Sequence, residues 1–235
     1  MFQTILPFVN RHKYKIAILA LMAGASFISL LLVGARMTVS DSGRYASLSW
    51  NLFLAWIPFL VAYAAYSLAW SRRWLYVVIP VAAFVWLIFF PNAPYILTDL
   101  QHLARQSTDT PLWYDVIMLV WFSWTGMLLG LVSLYLMQAI IQRTFGKWTG
   151  WSFVLLVSVL GSFGVYLGRF VRFNSWDLLQ APGEVAVTIL GLVIDPTLRL
   201  MAFTLLFAAF YLFVYLTLYS FGHLLREDGD SVHDR

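Results

Sequence analysis

Phe89-Phe-Pro-Asn-Ala-Pro-Tyr-Ile-Leu-Thr-Asp-Leu-Gln-His-Leu103 follows directly on an apolar run that starts near Trp74. A helix coming down that run cannot pass through Pro91 and Pro94 unaltered, because each proline lacks a backbone donor and turns the preceding residue away from helix. Two outcomes fit the residues. Either the helix stops at a membrane interface with Tyr95 as its anchor, or it breaks and continues, with Asn92 satisfying carbonyls that the prolines leave unpaired. Broken helices are tolerated at membrane depth where they line a cavity or are buried in protein.

Working outward, the whole chain reads as membrane. Hydrophobic residues make up 61% and charged residues 11% of 235 positions, too few polar groups to cover a water-soluble domain of this size. Apolar runs at 16–35, 48–69, 74–90, 116–141, 151–168 and 200–221 come near the ~20 residues that a bilayer-crossing helix needs. Tyr45, Trp50, Trp70, Trp74, Trp113, Tyr114, Trp148, Trp151 and Trp176 fall at the boundaries, where interfacial aromatics belong. A shorter run, 185–194, is too short to cross and reads as interfacial or re-entrant. The fold expected is an all-α integral membrane protein of about six transmembrane helices, with a broken third helix. It forms one polytopic domain over 1–235, of which 222–235 is a short tail. The first run resembles a signal peptide ending at Val33-Gly34-Ala35, but its apolar part outruns a signal core, so a retained helix is expected.

The net charge of +4 arises from Lys and Arg scattered singly between apolar runs, which excludes a basic nucleic-acid-binding stripe and leaves them as topology markers. With the N-terminus cytoplasmic, all three lysines and nine of the fifteen basic residues fall inside, and both termini are cytoplasmic. The polar segments, including the 97–113 and 170–198 stretches, then face out. Cysteine is absent, so no thiolate chemistry is available. No P-loop, dinucleotide fingerprint or zinc-ligand cluster occurs, and neither cofactor nor metal is expected.

Chemistry-bearing residues concentrate in the stretch quoted above and in Tyr166-Leu-Gly-Arg-Phe-Val-Arg-Phe-Asn-Ser-Trp-Asp177. Ionisable groups at the ends of apolar spans are a candidate site by default, because they are costly there unless paired or hydrated. Thr98 through Gln101 has the form of a capping box that starts a short outer helix. On it Asp99 and His102 share a face. That spacing suits a carboxylate orienting an imidazole, although a metal pair would need a third ligand. Runs four and five form a hairpin about Gly146, each with a small-residue stripe: Ser123, Gly126, Gly130 and Ser133 on one, Ser158, Gly161, Gly164 and Gly168 on the other. Such stripes predict close packing of the two helices on each other. Reflection about the turn brings Asp115 to the level of Asp177 and within reach of Arg169 and Arg172, whose spacing of three predicts one shared face. Two guanidiniums on one face suit phosphate or carboxylate. They also fit a plain structural role, snorkelling and pairing with Asp115 and Asp177. Asn174 fits either a site or an N-cap with Asp177 following it.

Taken together, PNAPYILTDLQHL, PLWYD and YLGRFVRFNSWD resemble the bacterial multi-pass membrane proteins grouped as domain of unknown function 1361. The resemblance implies a bacterial inner-membrane protein of this architecture and carries over no activity. The candidate ligand-binding set is Asn92, Asp99, His102, Asp115, Arg169, Arg172, Asn174 and Asp177. Binding or transport of an anionic small molecule or lipid-linked phosphate is the leading expectation. A structural or assembly subunit that meets other membrane proteins is the second, and an intramembrane hydrolase or transferase acting on a lipid headgroup is the third.

Overall fold

The computed structural model describes residues 2–40, 43–68, 79–104 and 110–233. Arg72, Arg73, Arg105 and Arg235, counted among the basic residues for topology, and Trp70 and Trp74 at the start of the third run lie outside the described residues. Every regular element among the described residues is helical: α1 (Phe2–Ser40), α2 (Ala46–Leu68), α3 (Ile79–Phe89), α4 (Asn92–Tyr95), a 3₁₀ helix (Ile96–Ala104), α5 (Leu112–Phe145), α6 (Lys147–Tyr166), a π-helical turn (Leu167–Val171), α7 (Asp177–Gln180), α8 (Pro182–Ile194) and α9 (Leu198–His233). Six helical stretches are long and apolar enough to cross a membrane, the third of them running from α3 through the 3₁₀ helix. α8 is the expected short apolar helix, with Val185 its one buried residue. Helix also continues beyond Phe221 to His233, so the C-terminal tail extends α9.

α5 is the hub. One face of it buries Met118, Leu119, Phe122 and Leu129 against α1 and α2, and a second cluster surrounds Met127, Leu134 and Met137 with Trp86, Phe90 and Tyr211. The outward faces are apolar instead of polar: Leu206 is 72% exposed and Phe213 67%, a surface that suits hydrocarbon and not water.

The third span breaks and then continues. Phe90 and Pro91 form a turn, α4 supplies one helical turn, and the 3₁₀ helix carries the chain onward. The carbonyls stranded at the break are satisfied by side chains. Asn92 Nδ2 donates to the Phe89 carbonyl at 2.9 Å and to Ser175 Oγ at 2.8 Å, while the Ser175 hydroxyl donates to the Ile88 carbonyl at 3.0 Å. Asn92 thus does the repair expected of it, helped by a serine from the second polar motif.

The glycine stripes pack differently from the sequence expectation. They do not meet each other. A Cβ on Gly126 would lie 2.7 Å from the Ala93 carbonyl oxygen, and one on Gly161 would lie 2.6 Å from the Phe90 ring. Gly130 faces Ala93 and Tyr211, Gly164 faces Pro91, and Gly168 faces the Tyr95 ring. The broken segment of span three is wedged between α5 and α6, and the two stripes are the slot that receives it. The helix-on-helix model failed because it compared only two helices, and the irregular backbone between them needs the space more.

Candidate functional site

At the end of the bundle where α1 and α6 finish and α5 begins, two ion pairs form, the first buried and the second partly buried. In the first, Arg36 Nε donates to Asp115 Oδ1 at 2.6 Å, Nη2 reaches Oδ2 at 3.4 Å, and the Tyr45 hydroxyl donates to Oδ2 at 3.2 Å. Both residues are almost fully buried. Asp115 also lies in the first turn of α5, where the helix dipole favours an anion.

The second pair grows out of the 3₁₀ helix. With three residues per turn, side chains three apart eclipse, so Tyr95, Thr98 and Gln101 form one row and Asp99 and His102 the next. Arg169, on the π-helical turn, spans both rows. Its Nη2 donates to Asp99 Oδ1 at 2.7 Å, its Nε to Thr98 Oγ1 at 2.9 Å and its Nη1 to the Tyr95 hydroxyl at 3.2 Å. Its carbon centre lies 4.8 Å from the Tyr95 ring centroid. Gln101, with its amide oxygen turned to Arg169, accepts from Nη1 at 3.1 Å. The other Asp99 oxygen accepts from Asn51 Nδ2 at 2.9 Å, and His102 Nε2 lies 3.6 Å from Oδ1. Only a planar fork makes so many divergent contacts at once.

The two pairs are joined through aromatic contact, since the Tyr45 ring that serves Asp115 stands edge-on to His102 at 6.5 Å between centroids. Asp99, His102, Asp115 and Arg169 therefore belong to one continuous polar layer. The partners are not those expected. Asp115 pairs with Arg36, and Arg169 with Asp99, because the wedge of span three keeps α5 away from the end of α6. Arg169 and Arg172 also part company. The π turn shifts the register, and Arg172 ends it in a left-handed conformation at φ 70° that leaves its side chain exposed. Among the described residues Arg172 has no ion-pair partner. Asp177 accepts from the Asn174 backbone N–H at 2.7 Å and the Asn174 side chain at 3.4 Å, but Asn174 is not the N-cap that the spacing allowed, because α7 starts at Asp177 itself, after Trp176 and without a side-chain cap. Thr98 does not cap; it donates back to the Tyr95 carbonyl at 2.7 Å, as a residue already inside a helix does.

Beside this layer lies a cleft of about 450 Å³, within the range of small-molecule sites. Leu54, Phe84, Leu87, Leu160, Phe163 and Leu167 wall its length, and Val185 and Ile189 of α8 flank it. Asn51, Asn92, Tyr95, Asn174 and Ser175 supply its polar atoms, and Trp50 stands at the same end against Trp176, 5.9 Å between ring centroids. Asn51, Tyr95, Ser175 and Trp50 were outside the expected set. So was Arg36, which sits next to a polar stretch and looks in sequence like any loop cation. Asn51 carried a readable signal as a lone amide inside an apolar run. Ser175 carried none, since its role depends on a break 83 residues away. Among the described residues no three His, Asp or Glu side chains gather as a metal site requires.

A family model described as "Protein of unknown function (DUF1361)" matches residues 50–216. The chain belongs to that family. The matched region of this DUF1361 protein holds the Asp99–Arg169 pair, Asn51, the break and the whole cleft, whereas Arg36 and Tyr45 precede it. No curated protein and no solved structure matches the chain.

Proposed function

We propose that this DUF1361 protein binds a lipid-linked phosphate, with the apolar chain in the cleft and the phosphate at Arg172. The observation that carries the reading is the pairing of an apolar cleft with an exposed guanidinium immediately before its lining residues Phe173, Asn174 and Ser175. Two backbone irregularities support it. π turns and left-handed non-glycine residues are strained features that persist where function needs a side chain re-aimed, and here they occur together at Leu167–Val171 and Arg172. Arg169 serves this site from behind. Its donors are committed to Asp99, Thr98 and Tyr95, so it fixes the cleft wall and does not itself hold the phosphate.

Lipid extracted with the purified protein tests the reading. Thin-layer analysis and native mass spectrometry should find an anionic lipid on the wild type, much reduced in Arg172→Gln and in Ile189→Trp, which fills the cleft, at unchanged folding. Equal lipid in all three proteins would sink it. The reading places the protein in a bacterial plasma membrane with both termini cytoplasmic and the cleft facing outward, supported by the lysine distribution. Gln180→Cys should then react with an impermeant thiol reagent in intact cells; reaction only after lysis reverses the orientation.

A further inference from the structure

We infer that the polar end of the cleft reads hydroxyl groups, so that the lipid it takes is an anionic phospholipid whose headgroup carries free hydroxyls. This rests on the lipid reading above and narrows it. Most of the hydrogen-bond donors at this end of the cleft are already committed within the protein. Asn92 commits both N–H groups, to the Phe89 carbonyl and to Ser175, and Ser175 commits its hydroxyl hydrogen to the Ile88 carbonyl. Asn51 gives one N–H to Asp99, and Asn174 gives one to Asp177. Tyr95 accepts from Arg169 and keeps its O–H to donate.

What remains for a ligand is the carbonyl oxygens of Asn51, Asn92 and Asn174, with two lone pairs each, against few N–H and O–H donors. Among the described residues no charged side chain lines the cleft. A phosphate, which only accepts, would face carbonyl oxygens there and is better held outside by Arg172. Among the described residues an ammonium would find no carboxylate in the lining itself, since the Asp99 oxygens are taken by Arg169 and Asn51, and Asp177, outside the lining, holds Asn174 through Oδ2. Hydroxyls, which both donate and accept, match both the surplus acceptors and the few donors. The exposed Trp50 face, backed by Trp176, gives the carbon side of a polyol an apolar surface to lie on.

Three phospholipids with identical acyl chains separate these chemistries: phosphatidylglycerol, phosphatidic acid and phosphatidylethanolamine, titrated into the detergent-solubilised full chain and read by native mass spectrometry. Phosphatidylglycerol should be retained about five-fold over each of the others, roughly the factor one net hydrogen bond supplies. Trp50→Leu, at an exposed position, should shrink that preference, whereas Arg172→Gln should lower phosphatidylglycerol and phosphatidic acid together and keep their ratio. Equal retention of phosphatidylglycerol and phosphatidic acid, or a preference for phosphatidylethanolamine, overturns the hydroxyl readout and leaves the lipid reading intact. Retention of none of the three overturns both.

Discussion

The two ion pairs differ in how they are built, and that difference separates a fastener from a site. Arg36–Asp115 joins two regular helices, is sealed, and places the carboxylate in the first turn of α5, where the dipole favours it. Arg169–Asp99 joins a π turn to a 3₁₀ helix, gathers Thr98, Tyr95, Asn51 and Gln101 about it, and forms the back of a cleft. The same residue chemistry thus gives stability where the backbone is regular and shape where it is not.

The largest effect should come from splitting the fastener. Asp115→Ala leaves a buried guanidinium without its carboxylate and should cost about 3–5 kcal/mol, read as a loss of thermal stability in detergent. Replacing both partners, Arg36→Met with Asp115→Leu, should recover most of that loss, because the buried charge is gone with its carboxylate. If the double variant is as unstable as the single one, Arg36–Asp115 does more than fasten, and the contrast between the pairs weakens.

Next in size is the slot that holds the break. Gly161→Leu drives side-chain atoms into the Phe90 ring and should destabilise by about 1–3 kcal/mol. Gly24→Leu on α1, where nothing lies within 4 Å of the position, should leave thermal stability unchanged. Equal tolerance at both positions would mean that span three is not wedged where the glycines place it.

Much of this was readable beforehand, and the failures share a cause. Apolar run length located the spans, and Pro91 and Pro94 located the break, since both act locally on the backbone. The pairing of charges was misread because it depends on what lies between helices. A hairpin reflected about Gly146 carries no information on a third segment entering it. The register of Arg169 and Arg172 was misread because spacing of three means a shared face only in an uninterrupted α-helix, and no residue type announces a π turn. His102 came to Asp99 as expected, though through 3₁₀ eclipsing and not through the capped α-helix that Thr98 suggested.

A smaller stability effect, on the site side of the contrast, is expected from Arg169→Lys. Lysine keeps the charge near Asp99 but cannot also reach Thr98 and Tyr95, so the cost should be about 1.5–3 kcal/mol from the lost charged hydrogen bonds. Because those bonds shape the cleft wall, lipid retention should fall as well. Asp115→Ala, compared at equal folded fraction, should keep its lipid. Identical lipid loss in both variants would erase the division between fastener and site.

The smallest effect carries the opposite sign. Arg172 sits at φ 70°, a region that glycine adopts freely and a side chain with a Cβ adopts at a cost. Its guanidinium is exposed and has no ion pair among the described residues that its removal would break. Arg172→Gly should therefore stabilise the protein by up to about 1 kcal/mol, with the gain in the left-handed position partly offset by the freer unfolded chain. Lipid retention should drop at the same time, since the phosphate loses its cation. A variant that gains stability while losing ligand is what strain maintained for function produces, and the opposite pairing, stability lost with lipid kept, would make Arg172 a structural residue and return the cleft to ordinary packing.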